Sequence, residues 1–395
     1  MKDNISFIHN CFGCGICTKP CPKQIVGMKL NKDGFYDSYV IDEEKCIHCG
    51  LCTDVCSFIH KDLTSPNKPI VSYAAWSKDK QVQRKCSSGG IGFEVAKLLL
   101  SRGYKVIGVR YNVEKKRAEH YIADSIEELI QSIGSKYIQS YTPDALELID
   151  RKEKYLFTGT PCQVDSFRRY IKRMKLNEDN FVLLDFFCHG TPSMLAWYKY
   201  LEICERKVGK ITYASWRNKT TGWHDSWNMG LDGEEHGEKV NWHDSYNLLI
   251  REKKTFLQSR LSQGDIFYRL FLQDFCMNPA CRKDCKYKYD KSSADIRIGD
   301  LWGKIYQNNE DGVSAAIAFT IKGKEIIEAT NCFLKEHPFE VVAEGQMKKN
   351  CGKAETSFLV YPLLHSKLYI PEIIWRAALF PQRVINYIRW KIKRH

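Results

Sequence analysis

Cys11-Phe12-Gly13-Cys14-Gly15-Ile16-Cys17-Thr18-Lys19-Pro20-Cys21-Pro22 and Cys46-Ile47-His48-Cys49-Gly50-Leu51-Cys52-Thr53-Asp54-Val55-Cys56-Ser57 are two copies of one pattern, C-x2-C-x2-C-x3-C. Three closely spaced cysteines wrap one face of a metal group, so a fourth thiolate has to arrive from elsewhere. That geometry suits a cubane of four irons and four sulfides. Structural zinc also uses C-x2-C, but as two separated pairs. Gly13, Gly15 and Gly50 fit the cubane reading, because backbone must pass close to the inorganic sulfides and turn with positive φ.

The chain of 395 residues is long enough for two or three domains. Its composition, 44% apolar, 12% aromatic and 27% charged, supports a buried core and excludes disorder, collagen and a bare coiled coil. No apolar run reaches the length of a membrane span, and the first residues lack the apolar stretch of a signal peptide, so a cytoplasmic chain is expected. In that reducing compartment 17 cysteines point to metal or redox chemistry rather than disulfides. The net charge of +13 is uneven: residues 1–66 hold 7 Lys against 8 Asp and Glu, while the last 30 residues hold 7 basic against 1 acidic. This is not the aromatic-interleaved basic face of a nucleic-acid binder, and none is expected as a partner.

The paired runs resemble those of bacterial two-cluster ferredoxins, in which the fourth cysteine of each run serves the other cluster. The resemblance implies one 4Fe-4S cluster on Cys11, Cys14, Cys17 and Cys56, and a second on Cys46, Cys49, Cys52 and Cys21. Ser57 stands where the first copy has Pro22, which weakens one turn and removes no ligand. Such a module relays single electrons, so the rest of the chain must supply the remaining chemistry.

A polar stretch from His60 to Pro69 reads as a linker. Beyond it, Ile91, Val95, Leu98 and Leu99 form a helical stripe ended by Gly103, and strands are expected at Tyr104–Tyr111, Tyr155–Thr158 and Phe181–Phe187. Ser125-Ile126-Glu127-Glu128 has the form of a capping box, and Thr142-Pro143 reads as a capping residue followed by proline at the first helical position. The fold class is therefore α+β and α/β: a ferredoxin fold followed by a mixed α/β body. Boundaries are expected at 1–66, 70–150, 151–335 and 336–395, the last an extension with a basic tail. Two loops suit an anion: Ser87-Ser88-Gly89-Gly90 before a helix, and Thr158-Gly159-Thr160 between a strand and a helix. Neither is a spaced G-x-G-x-x-G, and each is compatible with an ordinary turn. Cys276, Cys281 and Cys285 are dense and have basic neighbours; Cys204, Cys332 and Cys351 stand alone and read as buried structural thiols.

The ordered motifs Arg84-x-Cys86-Ser87-Ser88-Gly89-Gly90, Gly134-Ser135-Lys136-Tyr137-Ile138-Gln139-Ser140, Gly159-Thr160-Pro161-Cys162-Gln163, Cys188-His189-Gly190-Thr191-Pro192, Trp216-Arg217-Asn218-Lys219 and Ala294-Asp295-Ile296 through Gly303 resemble the coenzyme F-420 hydrogenase/dehydrogenase beta-subunit family, over residues 70–330. The resemblance implies a flavin, normally FAD, in the body and a third 4Fe-4S cluster beside it. Its ligands are four of Cys162, Cys188, Cys276, Cys281 and Cys285; the family favours Cys162, Cys188, Cys281 and Cys285, whereas local density favours Cys276 in place of one of them. Ser135, Lys136, Tyr137, Gln139 and Ser140 are expected at the flavin, and His189 as a proton donor or an ordinary loop residue. The function implied is a flavin-dependent iron-sulfur oxidoreductase working between a redox partner protein and a small molecule. Deazaflavin and a surface-polysaccharide intermediate are both candidate substrates. The alternative is an electron-transfer subunit that docks on a separate enzyme, and a homo-oligomer is compatible with either.

Trp216, Trp223, Trp227 and Trp242, with His224 and His243, line a substrate pocket or pack beneath a long loop. In the tail, Arg383, Arg389, Lys391, Lys393 and Arg394 interleave with Val384, Ile385, Ile388, Trp390 and Ile392. At helical period Val384, Ile385, Ile388 and Ile392 share one arc, which would suit a peripheral membrane contact or an acidic partner; a helix docked on its own body is the favoured reading.

Overall fold

The computed structural model describes residues 4–235 and 257–392, so Trp242, His243, Lys393 and Arg394 lie outside the described residues. The N-terminal module is built on an antiparallel hairpin of β1 (Val26–Leu30) and β2 (Tyr36–Val40), with Val26 opposite Val40 and Leu30 opposite Tyr36. Asn31 shapes the turn: its side-chain oxygen accepts from the N-H groups of Asp33 and Phe35. The two cysteine runs lie on either side of this hairpin.

The body contributes β3 (Val71–Ser77), β4 (Tyr104–Asn112), β5 (Arg117–Ala123), β6 (Ser140–Tyr141), β7 (Lys154–Thr158) and β8 (Phe181–Phe186). It continues through β9 (Ile211–Ser215), β10 (Asn228–Gly233), β11 (Leu257–Arg260), β12 (Ile296–Asp300), β13 (Ser314–Ala318) and β14 (Cys332–Glu336). Nine strands make one mixed sheet in the order β14-β3-β13-β12-β8-β7-β4-β5-β6, and β11-β10-β9 form a separate antiparallel sheet. The middle of the large sheet, β12-β8-β7-β4, is parallel, and antiparallel pairs flank it. The carboxyl ends of β7, β8 and β12 therefore open on one edge, the place where open α/β sheets collect ligands. β4, β7 and β8 agree with the expected strands to within a residue, and the helix Ile91–Ser101 buries Ile91, Val95 and Leu99 as its stripe requires.

Between β8 and β12 the register sets Asp185 against Arg297, both fully buried. The pair is bidentate, Arg297 Nε to Asp185 Oδ1 and Nη2 to Oδ2, each 2.7 Å. The guanidinium also donates to the carbonyls of Tyr287, Tyr289 and Lys291, fixing the loop ahead of β12.

Two local readings are corrected. The stretch 60–69 is no free linker. The Thr64 N-H donates to Asp165 at 2.8 Å, its carbonyl accepts from Lys172, and Lys286 donates to the carbonyls of Ser57, His60 and Asp62. Thr142 precedes the helix Pro143–Glu147 without capping it; its hydroxyl donates instead to the Cys14 carbonyl at 2.9 Å. The ferredoxin module is thereby seated on the body. Gly15, at φ 74°, shows how closely: a Cβ there would lie 2.1 Å from Thr142 Oγ1. Further ties run from Asn278 Nδ2 to the Cys11 carbonyl, from the Tyr36 N-H to Gln139, and from the Ser57 N-H to Ser166 Oγ, while the Ser57 hydroxyl donates to the Cys162 carbonyl.

Trp216 belongs to a fully buried aromatic core with Tyr111, Trp197 and Phe267, beneath the helix Met194–Val208. Replacing Asp185 with alanine strands a buried guanidinium. Asp185→Ala is expected to lower the unfolding free energy by about 3 to 5 kcal/mol, read by denaturant titration; a change within the error of the titration would refute the role given to this pair.

Candidate functional site

The structure brings three sets of cysteines together. Cys11, Cys14, Cys17 and Cys56 are buried in one cluster at the face of the module turned to the body. Burial and the neighbouring thiols Cys14 and Cys52 push Cys56 up to about 12. Cys17 is raised by burial and then by Cys14, Cys56 and Cys11. Hydroxyl groups meet two of these sulfurs: Ser38 Oγ at 2.9 Å from Cys17 Sγ and Ser166 Oγ at 3.4 Å from Cys14 Sγ. On the far side, Cys21, Cys46, Cys49 and Cys52 line one small cavity of about 20 Å³. The fourth cysteine of each run thus sits with the first three of the other.

The third set gathers at the sheet edge. Cys162 opens the helix Pro161–Arg173 after β7, Cys188 follows β8, and Cys281 and Cys285 belong to the helix Pro279–Lys283 and the turn beyond it. Burial raises the Cys162 thiol, and Cys14, Cys281 and Cys188 raise it further. Cys188 is pushed up to about 12 by burial, against Lys288, with Cys281 and Cys285 adding to the rise. Cys276 stands apart. Its thiol faces the Leu270 carbonyl at 3.7 Å within the aromatic core, so density in sequence does not become density in space. The thiol that does join the group is Cys351, packed with Cys281, Met277 and Phe271. A Cβ on Gly190 would lie 3.1 Å from Cys351 Sγ and 3.3 Å from Cys281 Cβ. Among the described residues no three such side chains are arranged to hold a single metal ion. A cubane differs in kind, because each of its four irons takes one thiolate.

A cavity of about 550 Å³ opens between these cysteines and the carboxyl ends of the strands. Its wall includes Ser87, Ser88, Gly90, Ser135, Lys136, Tyr137, Gln139, Ser140, Thr158, Gly159, Thr160, Cys14, Cys188 and His189. Gly89 is close by but serves the sheet, since a Cβ there would sit 2.2 Å from the Ala75 carbonyl of β3. The two loops expected to suit anions differ. The helix Ile91–Ser101 starts at Gly90, φ 93°, with no side-chain cap, leaving its first turn to the cavity. The helix Pro161–Arg173 is closed by a capping box, with the Thr160 N-H donating to Gln163 Oε1 at 2.9 Å, and the Gly159 N-H donates to the Leu184 carbonyl. Its donors are therefore largely spent.

Polar side chains around the cavity are held in place. Arg217, fully buried, donates to Asp300 at 2.9 Å, to the Tyr137 hydroxyl at 3.0 Å and to the Ser87 carbonyl, and lies 4.7 Å from the Trp227 ring centre. Lys219 clamps the carbonyls of Gln83, Ser88 and Asp311. Lys136 donates to the carbonyls of Gln131, Ile133 and Gly134, so its amine shapes its own loop. Tyr137 packs against Trp227 with the rings tilted by 31° and their centres 4.8 Å apart, and Trp223 stacks on Trp302 at 4.9 Å. His189 Nε2 lies 2.8 Å from Asp274 Oδ1 and Nδ1 lies 2.6 Å from Met347 Sδ. Asp274 and Cys351 come from segments that no sequence motif marks.

An iron-sulfur redox protein on an α/β sheet is the class these features define. Family models match three consecutive stretches. The first is "4Fe-4S dicluster domain" over residues 10–58; the other two are the amino-terminal and carboxyl-terminal parts of the coenzyme F420 hydrogenase/dehydrogenase beta subunit, over 72–147 and 152–340. The chain belongs to the coenzyme F420 hydrogenase/dehydrogenase beta-subunit family, with a dicluster domain ahead of it. A solved structure it is similar to is a chain of the F420-reducing [NiFe] hydrogenase complex from Methanosarcina barkeri, studied by xenon derivatization. The identity is 15%, over 82% of this chain and 94% of that one, with a TM-score of 0.44. No curated protein matches.

Beneath the cavity, His120 supports the Thr158 carbonyl from 3.0 Å, and its Nδ1 is buried without a hydrogen-bond partner. Burial pulls this imidazole down from 6.5 to about 4. The unfolded chain binds the proton first as pH falls, so the stability this residue contributes above pH 6.5 is lost on the way to about 4. The parent is expected to lose up to about 1.4 kcal/mol per pH unit in that window beyond what His120→Gln loses. Denaturant titrations across the window, giving parallel profiles for the two proteins, would sink this assignment.

Proposed function

We propose that the protein is a flavin-dependent iron-sulfur oxidoreductase, passing electrons between a redox partner protein and a small molecule, with FAD bound in the cavity at the sheet edge. The observation that carries the reading is the convergence of three features in one wall: Cys14 of the N-terminal set, Cys188 of the third set, and the uncapped start of the helix Ile91–Ser101. The cavity's size falls within the range usual for cofactor sites. A bound flavin would supply the exchange between one-electron clusters and a two-electron substrate.

Each group of residues has a part in this reading. Cys11, Cys14, Cys17 and Cys56 hold one 4Fe-4S cluster, Cys21, Cys46, Cys49 and Cys52 a second, and Cys162, Cys188, Cys281 and Cys285 a third. The first turn of the helix Ile91–Ser101 and the Ser87 and Ser88 loop hold the cofactor's phosphates. Tyr137, Trp227 and Phe187 exclude water from the cavity. His189, on the cavity wall with Nε2 2.8 Å from Asp274 Oδ1 and Nδ1 2.6 Å from Met347 Sδ, is the proton donor in this reading. Whether the substrate is a deazaflavin or a sugar-pathway intermediate is decided by turnover.

Anaerobically purified full-length protein is expected to carry about 12 irons and about one FAD. Cys285→Ala is expected to leave about eight irons and Cys276→Ala all of them. Gly90→Val is expected to lower flavin occupancy while iron content, unchanged, reports an intact fold. Substrate turnover with a chemically reduced donor and no partner protein separates this reading from that of a docking subunit. Eight irons without any releasable flavin would overturn it.

A further inference from the structure

The helix Glu372–Ile392 meets the body along one face only. Trp375, Leu379 and Gln382 are buried, four and three residues apart, and so lie on one side of the helix. Gln382 reinforces the seam by accepting from the Thr356 N-H and donating to Glu355. The opposite side carries Ile373, Phe380, Val384, Tyr387 and Ile388, exposed by 71, 58, 40, 56 and 50%. At 3.6 residues per turn these five fall within an arc of about 100° centred opposite the buried set. Of the Val384, Ile385, Ile388 and Ile392 arc, Ile385 is half-buried, while Val384, Ile388 and Ile392 face solvent.

Arg383 and Lys391 flank this stripe on the solvent side. Arg376 is paired with Glu372, which also engages Lys207, and Arg389 turns toward the docked side and pairs with Glu355. On the neighbouring helix Ile266–Leu272, Arg269 sits near enough to Arg383 and Arg376 that, after burial, these two hold its guanidinium below the ordinary range. Near the end of the described helix Tyr387 stacks on Trp390, and Lys391 Nζ lies 5.5 Å from the Tyr387 ring centre.

We propose that this outward face is a peripheral anchor for an anionic lipid surface, the apolar stripe entering the boundary between headgroups and acyl chains and the basic residues meeting lipid phosphates. A bulky aliphatic and aromatic stripe flanked by Arg and Lys is the composition of interfacial helices. A second copy of this chain is the less favoured occupant, because pairing two such helices would set like charges against one another, whereas an anionic bilayer neutralises them. No helix among the described residues is long and apolar enough to cross a membrane, so this one lies on the surface.

The test is co-sedimentation of the full-length protein with vesicles of equal parts phosphatidylglycerol and phosphatidylcholine, against vesicles of phosphatidylcholine alone. The parent is expected to pellet with the anionic vesicles and to be released by salt, and Phe380→Glu combined with Ile388→Glu is expected to cut the bound fraction about tenfold. Both substituted positions are exposed, and unchanged iron content and unfolding midpoint check that the variant is folded. Equal binding by parent and variant, or equal binding to neutral vesicles, would overturn the proposal. So would an absence of binding accompanied by a concentration-dependent dimer that the same variant dissolves, which would assign the face to a second copy.

Discussion

The ion pair between Asp185 and Arg297 is the constraint on which the sheet edge depends. Burying a guanidinium away from water requires a full set of acceptors, and here two come from the neighbouring strand and three from backbone carbonyls of the loop 287–291. Satisfying Arg297 therefore folds that loop into place. The loop carries Lys288, whose amine donates to the carbonyls of Cys188 and His189 at 2.6 and 2.9 Å. One charge buried between two strands thus reaches the turn after β8, and with it the thiol and imidazole that border the cavity.

A second hub works the same way on the other wall. Arg217 and Lys219, two residues apart after β9, reach across to Asp300 at the end of β12 and to the carbonyls around Ser87 and Ser88. The small antiparallel sheet is in this sense a bracket that holds the loop between β3 and the helix Ile91–Ser101 against the end of β12. Such networks are costly to leave half-made, so they fix a site before any ligand arrives.

Much of this was written locally. The paired cysteine runs, β4, β7 and β8, and the stripe of Ile91, Val95 and Leu99 depend on spacing within a few residues, which is what a single chain displays. The capping box was legible too: Thr160-Pro161-Cys162-Gln163 has the T-x-x-Q form, and reading it would have shown that these backbone donors are taken. What stayed hidden depends on the path of the chain between elements. Cys276 and Cys281 are five residues apart yet face different layers, because the turn at Met277 and Asn278 separates them. Asp274 arrives beside His189 only after the small antiparallel sheet, and Cys351 beside Cys281 only after β12, β13 and β14. Which side of the last helix the body would claim was hidden for a related reason: an apolar arc cannot reveal it until Trp375 and Leu379 have found their pocket.

Ser57, the residue that breaks the symmetry of the two cysteine runs, acquires a meaning from its neighbours. Its N-H bonds Ser166 Oγ, the same hydroxyl that approaches Cys14 Sγ, and its own hydroxyl bonds the Cys162 carbonyl. A proline in this position would have neither donor. The departure from the repeat is therefore the rivet of the joint: a freely diffusing carrier has no use for it, whereas a module that is to serve as a fixed stage of a larger machine has to surrender its proline there.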